Sequence, residues 1–215
     1  MTLLTPLMIE DWGVLDYQQA LLRQADMVQQ LLDGTGTDTL VLVEHPATIT
    51  LGRRASSADL RLSDADLVAR ELSLQRINRG GLATAHEPGQ LVVYPILLLK
   101  KRDLHWFSRA FLGAVVGLLA EYGLQAELKT GEPGVWVSGR KICSFGIALK
   151  KWVCSHGIAL NVNNDLTTFA AIIPCGRPSE ILTSMSYELG YPLDLIEVKQ
   201  QFCRQFTSAF GYEYQ

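Results

Sequence analysis

The chain is predicted to fold as a single α+β domain spanning residues 1–215, a mixed, largely antiparallel sheet flanked by helices. Three observations carry this. Extended and helical runs are mixed without the regular βαβ alternation of a parallel sheet. Three extended runs follow one another between residues 135 and 162, the last two joined by a short lysine turn. No linker, repeat or low-complexity segment divides the 215 residues, of which 48% are hydrophobic, enough to bury one sizeable core.

In chain order, residues 14–32 place Leu15, Ala20, Leu21, Val28, Leu31 and Leu32 at helical spacing before Asp33-Gly34. Residues 39–44 (TLVLVE) read as a buried strand, and extended structure resumes at 48–51 after His45-Pro46. Ser63 caps a short helix over 63–71. A strand over 74–78 feeds Arg79-Gly80-Gly81, residues 82–89 read as a loop, and 90–98 as a second apolar strand. Asp103 is the expected N-cap of a long helix ending at Tyr122-Gly123. Strands are expected at 135–138, 140–149 and 152–162, the last two a hairpin through Lys150-Lys151. An amphipathic helix over 194–210 closes the chain, with Leu195, Val198, Phe202, Phe206 and Phe210 on one side.

The net charge of −3 argues against a dedicated nucleic-acid binder. Basic residues cluster in short runs (Arg53-Arg54, Lys100-Lys101-Arg102, Arg140-Lys141, Lys150-Lys151), either solvated surface or a local patch for an acidic partner. No apolar run has membrane-spanning length, and the first residues lack a basic leader with a cleavage site. The expectation is a cytoplasmic protein with no membrane partner, whose four cysteines are thiols.

Three segments place glycine beside reactive groups. Arg79-Gly80-Gly81 through His86 to Gly89-Gln90 is either a plain turn or a backbone able to approach a ligand closely; it is neither a P-loop nor a dinucleotide fingerprint. In residues 139–146, strict alternation would put Lys141, Cys143 and Phe145 on one face and Ile142, Ser144 and Gly146 on the other. The third segment runs from His156-Gly157 to Pro174-Cys175-Gly176. A cysteine between proline and glycine is either a small buried hydrophobe or a nucleophile on a sharp turn. To react at neutral pH its thiol, ordinarily near ~8.5, needs a neighbouring cation, and Lys141, His86 and His156 are the candidates. A zinc site from His86, Cys154, His156 and Cys175 would match no usual spacing.

Taken together, EHPATITLGRRA (44–55), RGGLATAHEPGQLVVYPI (79–96), GVWVSGRKICSFGIAL (134–149), HGIALNVNNDL (156–166), IPCG (173–176) and LTSM (182–185) resemble the lipoyl(octanoyl) transferase family. The blocks stand in the family's order across nearly the whole chain. The resemblance implies the fold of biotin and lipoate protein ligases and a two-step acyl transfer. An octanoyl group would pass from acyl carrier protein to Cys175 as a thioester. It would then form an amide with a lysine on lipoyl domains of 2-oxo acid dehydrogenase complexes or the glycine cleavage H protein. Lys141 would lower the Cys175 pKa and later take a proton from the incoming amine. Arg79, Gly80, Gly81, Leu82, Ala83, Thr84, Ala85, His86, Ser144, Phe145, Gly146, Gly157, Ile158 and Ala159 would line the acyl pocket. No cofactor or metal is implied. The basic doublets would form a docking rim for the acidic carrier, and backbone N–H groups near Gly80-Gly81 or Gly176 an oxyanion hole.

The chain departs from the family pattern in one block. Ala85 stands where an aromatic residue is usual and Leu82 where a polar one is common, which bears on acyl-chain preference. Glu87 replaces a glycine and would raise the His86 pKa. Cys143, where alanine is common, would put a second thiol near Lys141. Two other readings stay open. One is an ATP-dependent lipoate or biotin protein ligase on the same fold. The other is a non-catalytic relative that binds an acylated carrier.

Overall fold

The computed structural model describes residues 7–173 and 181–213. A seven-stranded sheet is its centre, in the order β1(Met8–Val14), β2(Thr39–Glu44), β6(Gln90–Ile96), β10(Val153–Asn161), β9(Arg140–Lys150), β8(Glu132–Val137), β7(Ala126–Lys129). Only β1 and β2 pair in parallel; every other neighbour is antiparallel. A smaller sheet orders β4(Ser73–Arg76), β3(Thr48–Leu51) and β5(Ala83–His86). The mixed, largely antiparallel α+β architecture is the one expected.

Two long helices cover one face of the large sheet. Helix α3(Leu104–Glu121) starts where Asp103 accepts the Trp106 N–H, as its sequence implied, and α5(Leu195–Phe210) ends at Gly211 in the left-handed region, φ 72°. Phe107 and Phe111 from α3 meet Phe202 and Phe206 from α5 over Val135, Ile142, Cys143, Cys154 and Ile158. Phe206 stacks on Phe210 at 4.5 Å between centroids and meets Phe111 edge-on at 5.5 Å. The other face is different. There α1(Tyr17–Leu32) packs Ala20 and Val28 against β2, β6 and Ala159 of β10. The small sheet, with α2(Asp64–Ala69) and the turn Thr167–Ala171, gathers Ile49, Leu51, Leu67, Ala85, Phe169 and Ile172 into a cluster of its own.

The first helix begins later than the periodicity implied. Asp16 accepts the Gln19 N–H and fixes Tyr17 as the first turn, so Val14 ends a strand instead. That strand, β1, is an edge strand carrying Glu10, Asp11 and Gly13, a composition with little strand character of its own. β5 lies in a stretch read as loop; pairing with β3 holds Ala83 to His86 extended although Ala and His are poor strand formers. β7 and the short helix α4(Met185–Leu189), capped by Ser184, complete the elements that local pattern did not give.

Candidate active site

A cavity of about 310 Å³ lies where the small sheet meets the uncovered part of the large one. Its walls are residues of β5, β6, β8, β9 and β10, closed by Tyr17 of α1, Arg54, and the 131–133 turn. Of the residues expected to line an acyl pocket, Arg79, Gly81, Leu82, Ala83, Thr84, His86, Ser144, Phe145, Gly146, Gly157, Ile158 and Ala159 are on these walls, and so is Lys141. Two are not. Ala85 alternates away from the cavity into the small-sheet core, and the Gly80 N–H donates to the Ile147 carbonyl at 3.0 Å, which occupies it as an oxyanion donor. Cys175 falls in residues 174–180, outside the described residues.

The direction of Lys141 comes from an irregularity. Trp136 pairs with Lys141 while Val135, its neighbour, pairs with Cys143, so Ile142 is an extra residue in β9. This β-bulge breaks the alternation that sequence spacing implied. Lys141, Ser144 and Gly146 face the cavity; Ile142, Cys143 and the Phe145 ring join the helix-face core. Cys143 is near enough for the Lys141 charge to act on its thiol, but it faces the helix-side core, and burial outweighs that charge and pushes the thiol up to about 12. Cys154 and Cys203 are buried and held protonated by the same cause, with Cys203 at about 12. Cys154 lies in the helix-face core, separated by the sheet from His86 and His156, which line the cavity.

Lys141 is nearly fully buried, its Nζ 5.3 Å from the centre of the Trp136 ring. Gly134 opposite has φ 145°, and a Cβ there would lie 2.6 Å from the Lys141 Cε and 2.5 Å from the Cys143 carbonyl oxygen. The glycine makes room for the lysine. The Lys141 carbonyl accepts the Thr183 N–H at 3.0 Å, docking residues 182–185 on the strand.

A buried polar chain runs from that contact to the cavity wall. The Thr183 carbonyl can only accept, so it takes Asn161 Nδ2–H (3.0 Å). Asn161 Oδ1 then accepts Gln90 Nε2–H (2.9 Å), and Gln90 Oε1 accepts Nδ1–H of His86 (2.9 Å). A backbone carbonyl thus fixes the tautomer of an imidazole three side chains away. A second chain closes the far wall: His45 donates Nδ1–H to the Leu15 carbonyl (2.6 Å) and accepts from the Tyr94 hydroxyl (2.7 Å), which Tyr17 in turn contacts.

The charge in this wall belongs to Arg79. Its Nη2 donates to both the Thr50 carbonyl and hydroxyl at 2.9 Å, and Nη1 to the Gly80 carbonyl. Burial, with this guanidinium adding to it, pushes His156 down to about 4 and His86 well below its usual value; burial also lowers His45 to about 4. Glu87 does not counter this. It turns away from His86, and the expected upward shift gives way to a downward one. Neutral imidazoles offer a thiolate no cationic partner, which leaves Lys141 as the remaining candidate of the three.

Nor do the basic doublets form one rim. Arg54 is on the cavity wall and Arg140 pairs with Glu188 at 2.8 Å. Lys150 and Lys151 sit at the β9–β10 tip beside residues 100–102, nine residues from Lys141 and so about 30 Å along the strand.

Residues 16–207 match the lipoyl protein ligase A/B catalytic domain. The chain belongs to that family. Among its relatives, an octanoyltransferase of Solibacter usitatus is 42% identical over 94% of this chain and 91% of its own length. In fold, the bipartite lipoate protein ligase of Thermoplasma acidophilum superposes with a TM-score of 0.80 over 98% of this chain and 86% of its own, at 16% identity. The biotin protein ligase of Aquifex aeolicus does so at 0.54 over 96% and 69%, at 15% identity.

Proposed function

We propose that the protein is an octanoyltransferase of protein lipoylation that works through a Cys175 thioester. The observation that carries the reading is the cavity: its paired Val92 and Ala159 offer an apolar wall to an alkyl chain, and Lys141 is among the residues that line it. At about 310 Å³ it is at the small end of the ~300–1,000 Å³ usual for small-ligand pockets. The identity with named octanoyltransferases supports the same activity.

In the first step the Cys175 thiolate attacks the carbonyl of octanoyl-acyl carrier protein. A new C–S bond forms, the carrier's C–S bond breaks, and the carrier thiol leaves with the proton of the Lys141 ammonium, which is left as a neutral amine. One thioester replaces another, so no nucleotide is consumed. In the second step the ε-amine of a lipoyl-domain lysine attacks. The C–S bond to Cys175 breaks, an amide forms, and the amine's proton passes to Lys141. An ammonium near the sulfur stabilises the thiolate both as attacking and as leaving group. The carrier presents its acyl group to the cavity that Lys141 lines together with Arg54 and residues 131–133. The lipoyl domains of 2-oxo acid dehydrogenase complexes and the glycine cleavage H protein are the acceptors.

The test is intact mass after incubation with octanoyl-acyl carrier protein and no ATP. One octanoyl adduct, labile to hydroxylamine and missing in Cys175→Ala, is the expected result. No adduct until ATP and free octanoate are added would replace this reading with that of a ligase.

A further inference from the structure

Glu87 is a buried carboxylate that no step above uses. Its side chain is 3% exposed overall and accepts three hydrogen bonds. Oε1 takes Asn164 Nδ2–H at 2.8 Å and the Leu166 N–H at 2.7 Å; Oε2 takes the Thr168 N–H at 2.9 Å. Two of these donors are backbone groups at the entry to the turn Thr167–Ala171. Leu166, before that turn, is left-handed (φ 67°) and supplies no side-chain cap. From 79 residues earlier in the chain, Glu87 does what a local capping residue would do.

What the carboxylate joins matters more than that it is satisfied. On its own side it follows His86, a cavity-wall residue, and precedes the loop whose Gly89 carbonyl accepts the Asn163 N–H at 2.9 Å. On the other side, the turn it caps runs directly into Ile173, whose N–H is held by the Asp59 carbonyl at 2.8 Å. Cys175 is two residues further on. Asn164 also donates to Asn161 Oδ1 at 3.1 Å, and Asn161 leads through Thr183 to the Lys141 carbonyl. The Glu87 carboxylate is thus the junction between the cavity wall, the chain entering the cysteine segment, and the strand that carries the lysine.

We infer that Glu87 is a positioning residue for acyl transfer: by capping the turn Thr167–Ala171 it sets where the chain enters the Cys175 segment relative to Lys141. The inference rests on Cys175 being the acylated residue. A carboxylate is suited to this task because it is acceptor-only, so three N–H groups converge on it without conflict. A carboxamide of the same shape would turn an NH₂ toward at least one of the three donors.

Glu87→Gln tests it, with three readouts on the full chain. These are acylation by octanoyl-acyl carrier protein followed by intact mass, the pH dependence of Cys175 alkylation by iodoacetamide, and thermal unfolding. The expected result is an acylation rate constant lowered about 10²-fold with little change in KM for the donor, as a displaced reacting group gives. The alkylation profile should also shift to higher pH, because a thiol set further from the ammonium keeps its proton longer. A Glu87→Gln protein that unfolds earlier, yet acylates and alkylates like the parent while folded, overturns the inference and leaves a stability role alone. If Glu87→Gln does not fold, Glu87→Asp keeps the charge and draws the carboxylate back by one methylene from the Leu166 and Thr168 N–H groups of the cap. A drop of about ten-fold in the same rate supports the inference, and a parental rate overturns it. Failure of the parent itself to form an adduct on Cys175 overturns the underlying reading first, and this inference with it.

Discussion

The two faces of the seven-stranded sheet are built on opposite terms. Under α3 and α5 the buried groups are Phe, Leu, Val, Ile, Ala, three thiols and one thioether, and they meet by shape. On the cavity face the buried groups include Arg79, Lys141, Glu87, three histidines, Gln90 and Asn161, and they meet by donor and acceptor. An apolar face tolerates change by degrees, since each lost methylene has a modest cost. A polar face does not, because one misplaced donor strands its partners. Stability should therefore be spread over the first face, and chemistry should be concentrated in the second.

Four outcomes would sharpen or break that contrast. Phe206→Ala removes a ring at the centre of the aromatic cluster and should cost about 3–5 kcal/mol in urea unfolding. The transfer rate per folded molecule should not change; a fall in that rate would mean the faces are coupled. Acid comes next. The folded pKa values of His45 and His156 lie near 4, below their unfolded values, so the unfolded chain binds more protons between about 4 and 6.5. Stability should be full above pH 7 and fall as the pH drops through that window, by roughly 1 kcal/mol per histidine at pH 5.5. His86 contributes in the same direction. A urea midpoint that is flat from pH 7 to 5.5 would contradict it.

Gly134→Ala should destabilise by about 1–3 kcal/mol, through a Cβ pressed on Lys141 and a positive φ. Unlike Phe206→Ala, it should also lower transfer about 10²-fold in the molecules that remain folded. The smallest effect is expected from Cys143→Ala. The thiol is two residues from Lys141 but on the other face, so stability should fall by about 1 kcal/mol and transfer should be unaffected. Loss of transfer there would refute the assigned facing of β9.

The same contrast explains what could be read from the sequence. The runs at 39–44, 90–98 and 104–121 announced themselves because apolar periodicity and an N-cap aspartate are local signals. β5 and β7 did not, since Ala83-Thr84-Ala85-His86 and Ala126 to Lys129 are extended only because a neighbour pairs with them. The cavity residues were legible as motif blocks, through glycines and a lysine set in strands. Their hydrogen-bond partners were not. Asn161 to Thr183, or Glu87 to Thr168, are links across 22 and 81 residues, and spacing carries no trace of them. Nor could alternation reveal the side to which Lys141 points, because counting residues along β9 assumes that none is extra.

That extra residue has a consequence for how the site can change. With Ile142 present, the lysine and everything after it are out of phase by one, and this phase is a property of chain length rather than of any side chain. Substitutions around Lys141 can weaken or crowd it, but none can turn it to the other face. Loss of the extra residue cannot either: without Ile142, Lys141 stays opposite Trp136 and Cys143 opposite Val135, now regular neighbours on opposite faces. The lysine's side is set by its pairing with Trp136, so only a slip of that register reaches it.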